Sequence, residues 1–316
     1  MLLPPGAVLE SLNLGTWFEG GEAEEEEDEQ EGEQQHQQEQ QQQQQAAAQH
    51  LAEELAALAS VPQLSNLRSL RLDDHNSHDT AVWRRSLPAL LDRTPQLTDL
   101  VLAEWAPRRL PECIRLRSGL RSLGLEGQRM AELPEGPYLQ GLEALQLVLQ
   151  AFSQVPPALT AATALTRLDL SHNGGMQLSA AVLDALPCLR ALTLAGTGSL
   201  PEGRYLAGLQ ELSLVNHSFT RLPPALAAAT ALTCLDLRRH AAAPKGASEG
   251  QQAALDEEKE DLELPVEDAR AILAPLPLRQ LCLSPALAGS PGVETLRSAC
   301  PQLEISFLRP HEWWSE

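Results

Sequence analysis

Apolar positions recur along this chain in one compact pattern: leucine, two residues, leucine, one residue, leucine. Ten copies begin at Leu9, Leu67, Leu97, Leu120, Leu142, Leu165, Leu189, Leu209, Leu232 and Leu278. Between Leu100 and Leu235 the middle leucines stand 23, 22, 23, 24, 20 and 23 residues apart. Self-similarity at such a period marks an array of stacked units. The Leu-x-Leu alternation predicts a short strand in each copy, because successive side chains point to opposite faces and the leucines share one. No copy can bury that face alone, so the strands are expected side by side and parallel, with stability spread along the array. The chain then has to return. Pro turns after Leu110, Leu133, Val155, Leu200 and Leu222 open that return in some copies, and residues 46–59 and 81–91 read as helical.

These triplets and Leu-Pro turns resemble the leucine-rich repeat family, of the intracellular type with repeats of about 23 residues. The resemblance implies an α/β solenoid: a curved parallel sheet on a concave face, short helices and 3-10 turns on a convex face, and two disordered acidic insertions. In that family an asparagine after each strand ties the next turn. Here Asn173 fits the slot, while its equivalents are His75, Trp105, Gln128, Gln150, Thr197, His217 and His240, so a regular asparagine ladder is not expected. The implied layout is a first strand in 1–18, an acidic and poly-Gln insertion in 19–45 and repeats in 46–240. A second acidic insertion in 241–264, C-terminal repeats in 265–308 and a tail in 309–316 complete it.

Part of the array is duplicated. Residues 147–170 and 214–237, offset by 67, agree at 16 of 24 positions. Shared residues such as Phe152 and Phe219 read as core. The differences bear more on binding: Arg167 is replaced by Cys234 and Ser171 by Arg238, both at positions expected to face outward.

The formal charge of −20 and the pI near 4.8 oppose a nucleic-acid binder. Most of that charge is local. Residues 19–39 hold eleven acidic side chains and no Lys or Arg, and 241–269 hold nine with two lysines, which leaves about −2 for everything else. Both segments follow a strand and read as solvated loops. The 46-residue step from Leu235 to Leu281 is one repeat plus an insertion, since Glu257-Glu258-Lys259-Glu260 stands where a further triplet would fall. The N-terminus matches neither a signal nor a transit peptide, and no apolar run is long enough to cross a membrane. Five dispersed cysteines without a Cys-x-x-Cys pair suit a reducing compartment.

No catalytic signature is present: neither Gly-x-Ser-x-Gly, a Walker sequence, a complete dinucleotide loop nor His-Glu-x-x-His occurs. The cluster from Asp73 through His75 and His78 to Asp79 has metal-ligand types but sits where a polar loop is expected anyway. The sequence reads as a non-enzyme without cofactor or metal. Outward strand positions give a small, mixed row, and the expected protein-binding residues are Arg68, Arg71, Asp99, Arg121, Arg167, Asp169, Glu211, Asp236 and Arg238. Without a basic stripe or stacked aromatics, protein is favoured over nucleic acid or membrane as partner, and the chain is expected to be monomeric. The leading expectation is an adaptor whose concave face binds one or more proteins. The family's known venues are cytosolic signalling complexes, phosphatase regulation and the cytoskeleton or ciliary axoneme, so cytoplasm is expected, with nucleus as the alternative. Two other readings follow from resemblance. Cys188-Leu-Arg and Cys300-Pro-Gln-Leu303 look like the repeats of F-box ubiquitin-ligase receptors, although no F-box precedes Leu9, and the acidic runs are similar to those of acidic chaperones for basic proteins.

Overall fold

The computed structural model describes residues 11–15, 62–73, 87–103, 109–239 and 262–307. Residues 19–45 and 241–261 of the expected acidic insertions, the helical 46–59, His75, Trp105, His240 and Trp313-Trp314 lie outside the described residues. The chain divides at Leu142 into two compact units. In the first, strands β1 (Ser11–Gly15), β2 (Ser69–Asp73), β3 (Asp99–Ala103) and β4 (Ser122–Glu126) pair in sequence order, all parallel. The second holds β5 (Ala144–Val148), β6 (Arg167–Leu170), β7 (Ala191–Ala195) and β8 (Glu211–Val215). It continues through β9 (Cys234–Asp236), β10 (Gln280–Cys282) and β11 (Glu304–Ser306), again parallel and in order. This is the expected leucine-rich-repeat solenoid.

Register follows the leucine pattern without a slip. Leu12, Leu70, Leu100 and Leu123 lie abreast in the first unit. In the second, Leu145, Leu168, Leu192, Leu212, Leu235 and Leu281 do so, with Ile305 closing the row. Every triplet leucine from Leu67 to Leu283 is at most 6% exposed. Each contributes about 1.5–3 kcal/mol on burial, and a one-residue slip would turn a whole set toward water. β10 pairs directly with β9, so the 46-residue step adds no strand between them.

Between strands, the residue after the first leucine of each triplet offers its carbonyl to two successive amides of the next copy. Arg68 O accepts from Thr98 N and Asp99 N, Glu143 O from Thr166 N and Arg167 N, and Gln210 O from Thr233 N and Cys234 N. Threonine hydroxyls add to the same carbonyls: Thr98 donates to Arg68 O, Thr166 to Glu143 O and Thr233 to Gln210 O. The return segments are short. Pro137–Gly141, Pro157–Ala161 and Pro224–Ala228 are 3-10 turns, each opening on a proline, a residue whose fixed φ suits a first helical position. Residues 87–92 are helical, and Arg117 caps their C-terminal end, donating to the carbonyls of Leu91 (2.6 Å) and Thr94.

Strand exits share a device that the sequence does not announce. Two residues past the last leucine, Gly127, Leu149, His172, Gly196 and Asn216 all take positive φ, between 54° and 79°. That bend turns the chain away from the sheet. For a residue with a Cβ it costs about 1–2 kcal/mol. At four of these exits, all but Gly196, the next residue buries a polar side chain that satisfies the exposed backbone. Gln128 Nε2 donates to Leu102 O (2.7 Å) and Gln150 Nε2 to Val148 O (2.8 Å). Asn173 Nδ2 divides between the carbonyls of Leu147, Leu170 and Ser171, and its Oδ1 accepts from Gln150 N (2.8 Å). His217 Nε2 lies 3.2 Å from Leu237 O. No regular asparagine ladder forms, as expected, yet its role is filled in mixed form, glutamine and histidine serving beside Asn173.

The duplication is visible in the backbone. Pro156 and Pro223 have φ/ψ of −58°/123° and −59°/124°, while Ala162 and Ala229 have −89°/58° and −81°/58°. It also extends further upstream than the aligned segment. Tyr138 and Tyr205, 67 residues apart, donate their hydroxyls to Pro134 O (2.6 Å) and Pro201 O (2.8 Å). Gly136 and Gly203 lie beside these rings, where an added Cβ would stand 2.7 Å from Arg115 O or from Tyr205 Cδ1. Phe152 is core, 4% exposed, but Phe219 is only half-buried and stacks flat on His217 at 3.8 Å. The chain resumes at Leu262, and Leu262 and Leu264 are buried, inside the span expected to be disordered. Glu263 N donates to Thr220 O (2.7 Å) there, and helix Pro291–Ala299 comes so close that a Cβ on Gly292 would lie 2.1 Å from Leu264 O.

Asn173→Ala removes the acceptor of Gln150 N and a donor shared by three carbonyls in a buried turn and should cost about 1–3 kcal/mol in urea unfolding of the full chain. Leu149, 42% exposed at φ 55°, gives the opposite sign: Leu149→Gly should stabilise by about 0.5–1 kcal/mol, and a loss on that substitution would refute strain at this exit.

Candidate interaction surface

Alternation along each strand puts the leucines into the core, so residues between them form the outward face. In the first unit that face carries Ser69, Arg71 and Asp73 on β2, Asp99, Val101 and Ala103 on β3, and Ser122, Gly124 and Glu126 on β4. Arg71 Nη2 stands 3.5 Å from Asp73 Oδ2 and 3.7 Å from Glu126 Oε2, a reach across β3 that the small Val101 and Ala103 leave open. Its side chain is 41% exposed, so this network holds an orientation more than it adds stability. Asp99 accepts from its neighbour's hydroxyl, Thr98 Oγ1 to Oδ2, at 2.6 Å. Arg68 and Arg121, one residue before their strands, are exposed.

The second unit carries the other five expected residues. Arg167 and Glu211 are exposed, as anticipated. Asp169 and Asp236 are 7% exposed and Arg238 4%. Arg238 is therefore no free outward charge: its Nε meets Asp236 Oδ1 at 2.8 Å and its Nη2 meets Oδ2 at 2.6 Å, a side-on bidentate pair. Burial opposes the Arg238 charge, and the bond and charge of Asp236 overcome it, so the guanidinium pKa is raised. Cys234, which replaces the exposed Arg167 of the earlier copy, is 8% exposed. Of the nine expected residues, four belong to the first unit and five to the second, and three of those five are buried.

Around them the floor is made of small side chains: Ala144 on β5, Ala191, Thr193 and Ala195 on β7, Ser213 on β8, Cys282 on β10 and Ser306 on β11. Asp169, unlike Asp236, is a buried carboxylate with no guanidinium among the described residues paired to it. Its Oδ1 accepts from Ser171 N at 2.8 Å. Burial raises its pKa above the ordinary 3.8, against the Ser171 bonds and the charge of His172, which pull it down. Among the described residues no group of His, Cys, Asp and Glu is placed to hold a metal, and the cluster expected to start at Asp73 lies beyond it outside the described residues.

A folded-state pKa above the unfolded value means stability is fully present below the unfolded pKa and lost as pH rises through the folded one. Asp169→Asn removes that loss. The variant's stability gain over the parent should therefore be near zero at pH 3.5 and grow as pH is raised toward 7, read from paired urea melts. A gain that stays flat across that range would contradict the raised pKa.

No family model and no curated protein matches the sequence. Solved structures do resemble it. Toll, in its complex with Spatzle from Drosophila, aligns at 18% identity over 78% of this chain and 30% of that chain, with a TM-score of 0.51. TLR13, solved with ssRNA13, aligns at 19% over 70% and 36%, with a TM-score of 0.45. Internalin C2 of Listeria monocytogenes aligns at 21% over 56% and 73%, at 0.42. The chain spans about a third of the first two. The likeness to Toll, at 18% identity, is one of architecture, and together with the in-register leucine rows it makes this chain a leucine-rich-repeat solenoid.

Proposed function

We propose that this chain is a non-enzymatic scaffold that binds one or more proteins through the outward face of its strands. One observation carries the reading: in the second unit exposed charges of both signs, Arg167 and Glu211, stand beside a floor of small side chains on strands whose other face is sealed by leucine, and in the first unit Arg68 and Arg121 flank the outward face. Such a floor admits a partner's larger side chains, and the flanking charges give register and specificity. The mixed signs and the lack of stacked aromatics favour protein over nucleic acid. That Toll was solved in complex with Spatzle supports protein docking on this architecture.

The non-enzymatic part has chemical support. Burial pushes the Cys234 thiol up to about 12 and raises Cys113 and Cys282 as well. These thiols are protonated near neutrality and poor nucleophiles. The dispersed cysteines also support a reducing, cytoplasmic setting.

Charge reversal separates the units: Arg71→Glu alters the first face, Arg167→Glu the second. Full-length protein should lose a specific protein partner in affinity capture with at least one of these variants, or with the double variant, while its circular dichroism is unchanged. Retention of every partner by all three variants would overturn docking on the outward face.

A further inference from the structure

The duplicated copies differ at one outward position in a way that bears on what docks there. Asp236 and Asp169 are equivalent, 67 residues apart, and both use Oδ1 to accept from the backbone two residues on: Arg238 N at 3.1 Å, Ser171 N at 2.8 Å. The two carboxylates are therefore anchored alike, and each is 7% exposed. Only Asp236 is paired with a guanidinium; the charge that reaches Asp169 is that of His172, an exposed side chain three residues on. Arg238 lies side-on against Asp236, whereas its equivalent beside Asp169 is a serine. A buried carboxylate without a counter-charge is costly. Its neighbours in register are Gln146 on β5 and Thr193 on β7, both half-buried and neither charged.

We propose that Asp169 receives an arginine side chain of the protein partner, whose guanidinium takes the place over Asp169 that Arg238 takes over Asp236. This rests on the protein-docking reading and specifies its chemistry. Charge complementarity here has an internal template: the later copy displays the filled arrangement, and the earlier copy has the same anchored carboxylate with the arm removed. A side-on pair needs the planar fork of arginine, so lysine is a poor substitute. The raised pKa is what an unneutralised carboxylate in this setting should show.

The full chain, with its Asp169 carboxyl resonance assigned by comparison with Asp169→Asn, should be titrated by carbon-13 NMR with a short acetylated Gly-Arg-Gly amide and its lysine counterpart. The arginine peptide should lower the apparent Asp169 pKa by about one unit, equivalent to roughly tenfold tighter binding to the ionised form. Asp169→Asn should weaken that peptide at least tenfold. Ser171→Arg should block it and lower the Asp169 pKa unaided. The proposal is overturned if the peptide binds Asp169→Asn as well as the parent, if it perturbs only other residues, or if lysine does equally well. It is also overturned if the pKa in the free chain already lies below the ordinary range, because a cation of this chain would then occupy the place. Failure here alongside partner loss in Arg71→Glu or Arg167→Glu would reject the arginine contact and leave outward-face docking standing.

Discussion

A parallel strand of three to five residues has no stability of its own, and each copy in this chain offers only one apolar face to remove that deficit. Side-by-side alignment of the leucine triplets is therefore the interaction on which everything else depends. Because Leu145, Leu168, Leu192, Leu212, Leu235 and Leu281 lie abreast, each copy's core is completed by its neighbours in sequence. Stability is then a sum of nearest-neighbour terms. An interruption such as that between β9 and β10 is tolerated for the same reason, provided the next triplet returns in register, as Leu281 does opposite Leu235.

Stacking leucines leaves a second problem, the backbone where each strand ends. The left-handed exits and the buried polar residue after them solve it together. The bend directs the chain away from the sheet, and the polar side chain supplies hydrogen bonds to carbonyls that would otherwise be buried unmet. Several residue types meet these requirements. Gly127 and Gly196 bend without strain, Asn216 and His172 with little, and Leu149 at a cost. Glutamine, asparagine and histidine all reach a carbonyl from the slot that follows. The constraint is on geometry and donor placement rather than on one amino acid.

That distinction accounts for what the sequence disclosed. Strand positions, register and the leucine core were legible because each depends on a single residue type at a fixed spacing. The ladder was not, since Gln128 and His217 serve it without matching the family's asparagine. The three-repeat duplication was legible in its proline-alanine stretch, whereas its extension to Tyr138 and Tyr205 emerges from their matching hydroxyl bonds to Pro134 and Pro201. The outward face was the least legible part. Strand alternation correctly placed Arg167, Glu211 and Arg71 outward, but alternation says nothing of what a side chain meets there. Arg238 looked like an available charge and is consumed by Asp236, two residues away.

The two copies together show how an outward position changes its charge without disturbing the core. A duplication gives two equivalent anchored carboxylates on a floor whose supporting leucines are already fixed. Replacing serine by arginine in one copy neutralises its carboxylate from within, and the sheet beneath is unchanged because the substituted side chain lies on the far face from the leucines. The copy without the arginine keeps an anchored, mostly buried carboxylate that the charge of His172 reaches but that no guanidinium among the described residues pairs with. Since the core tolerates either outcome, selection on the outward face is free to retain whichever one a partner uses. Similar anchoring with different neutralisation is a sharper mark of a binding position than exposure, which on this face points equally to every solvated arginine.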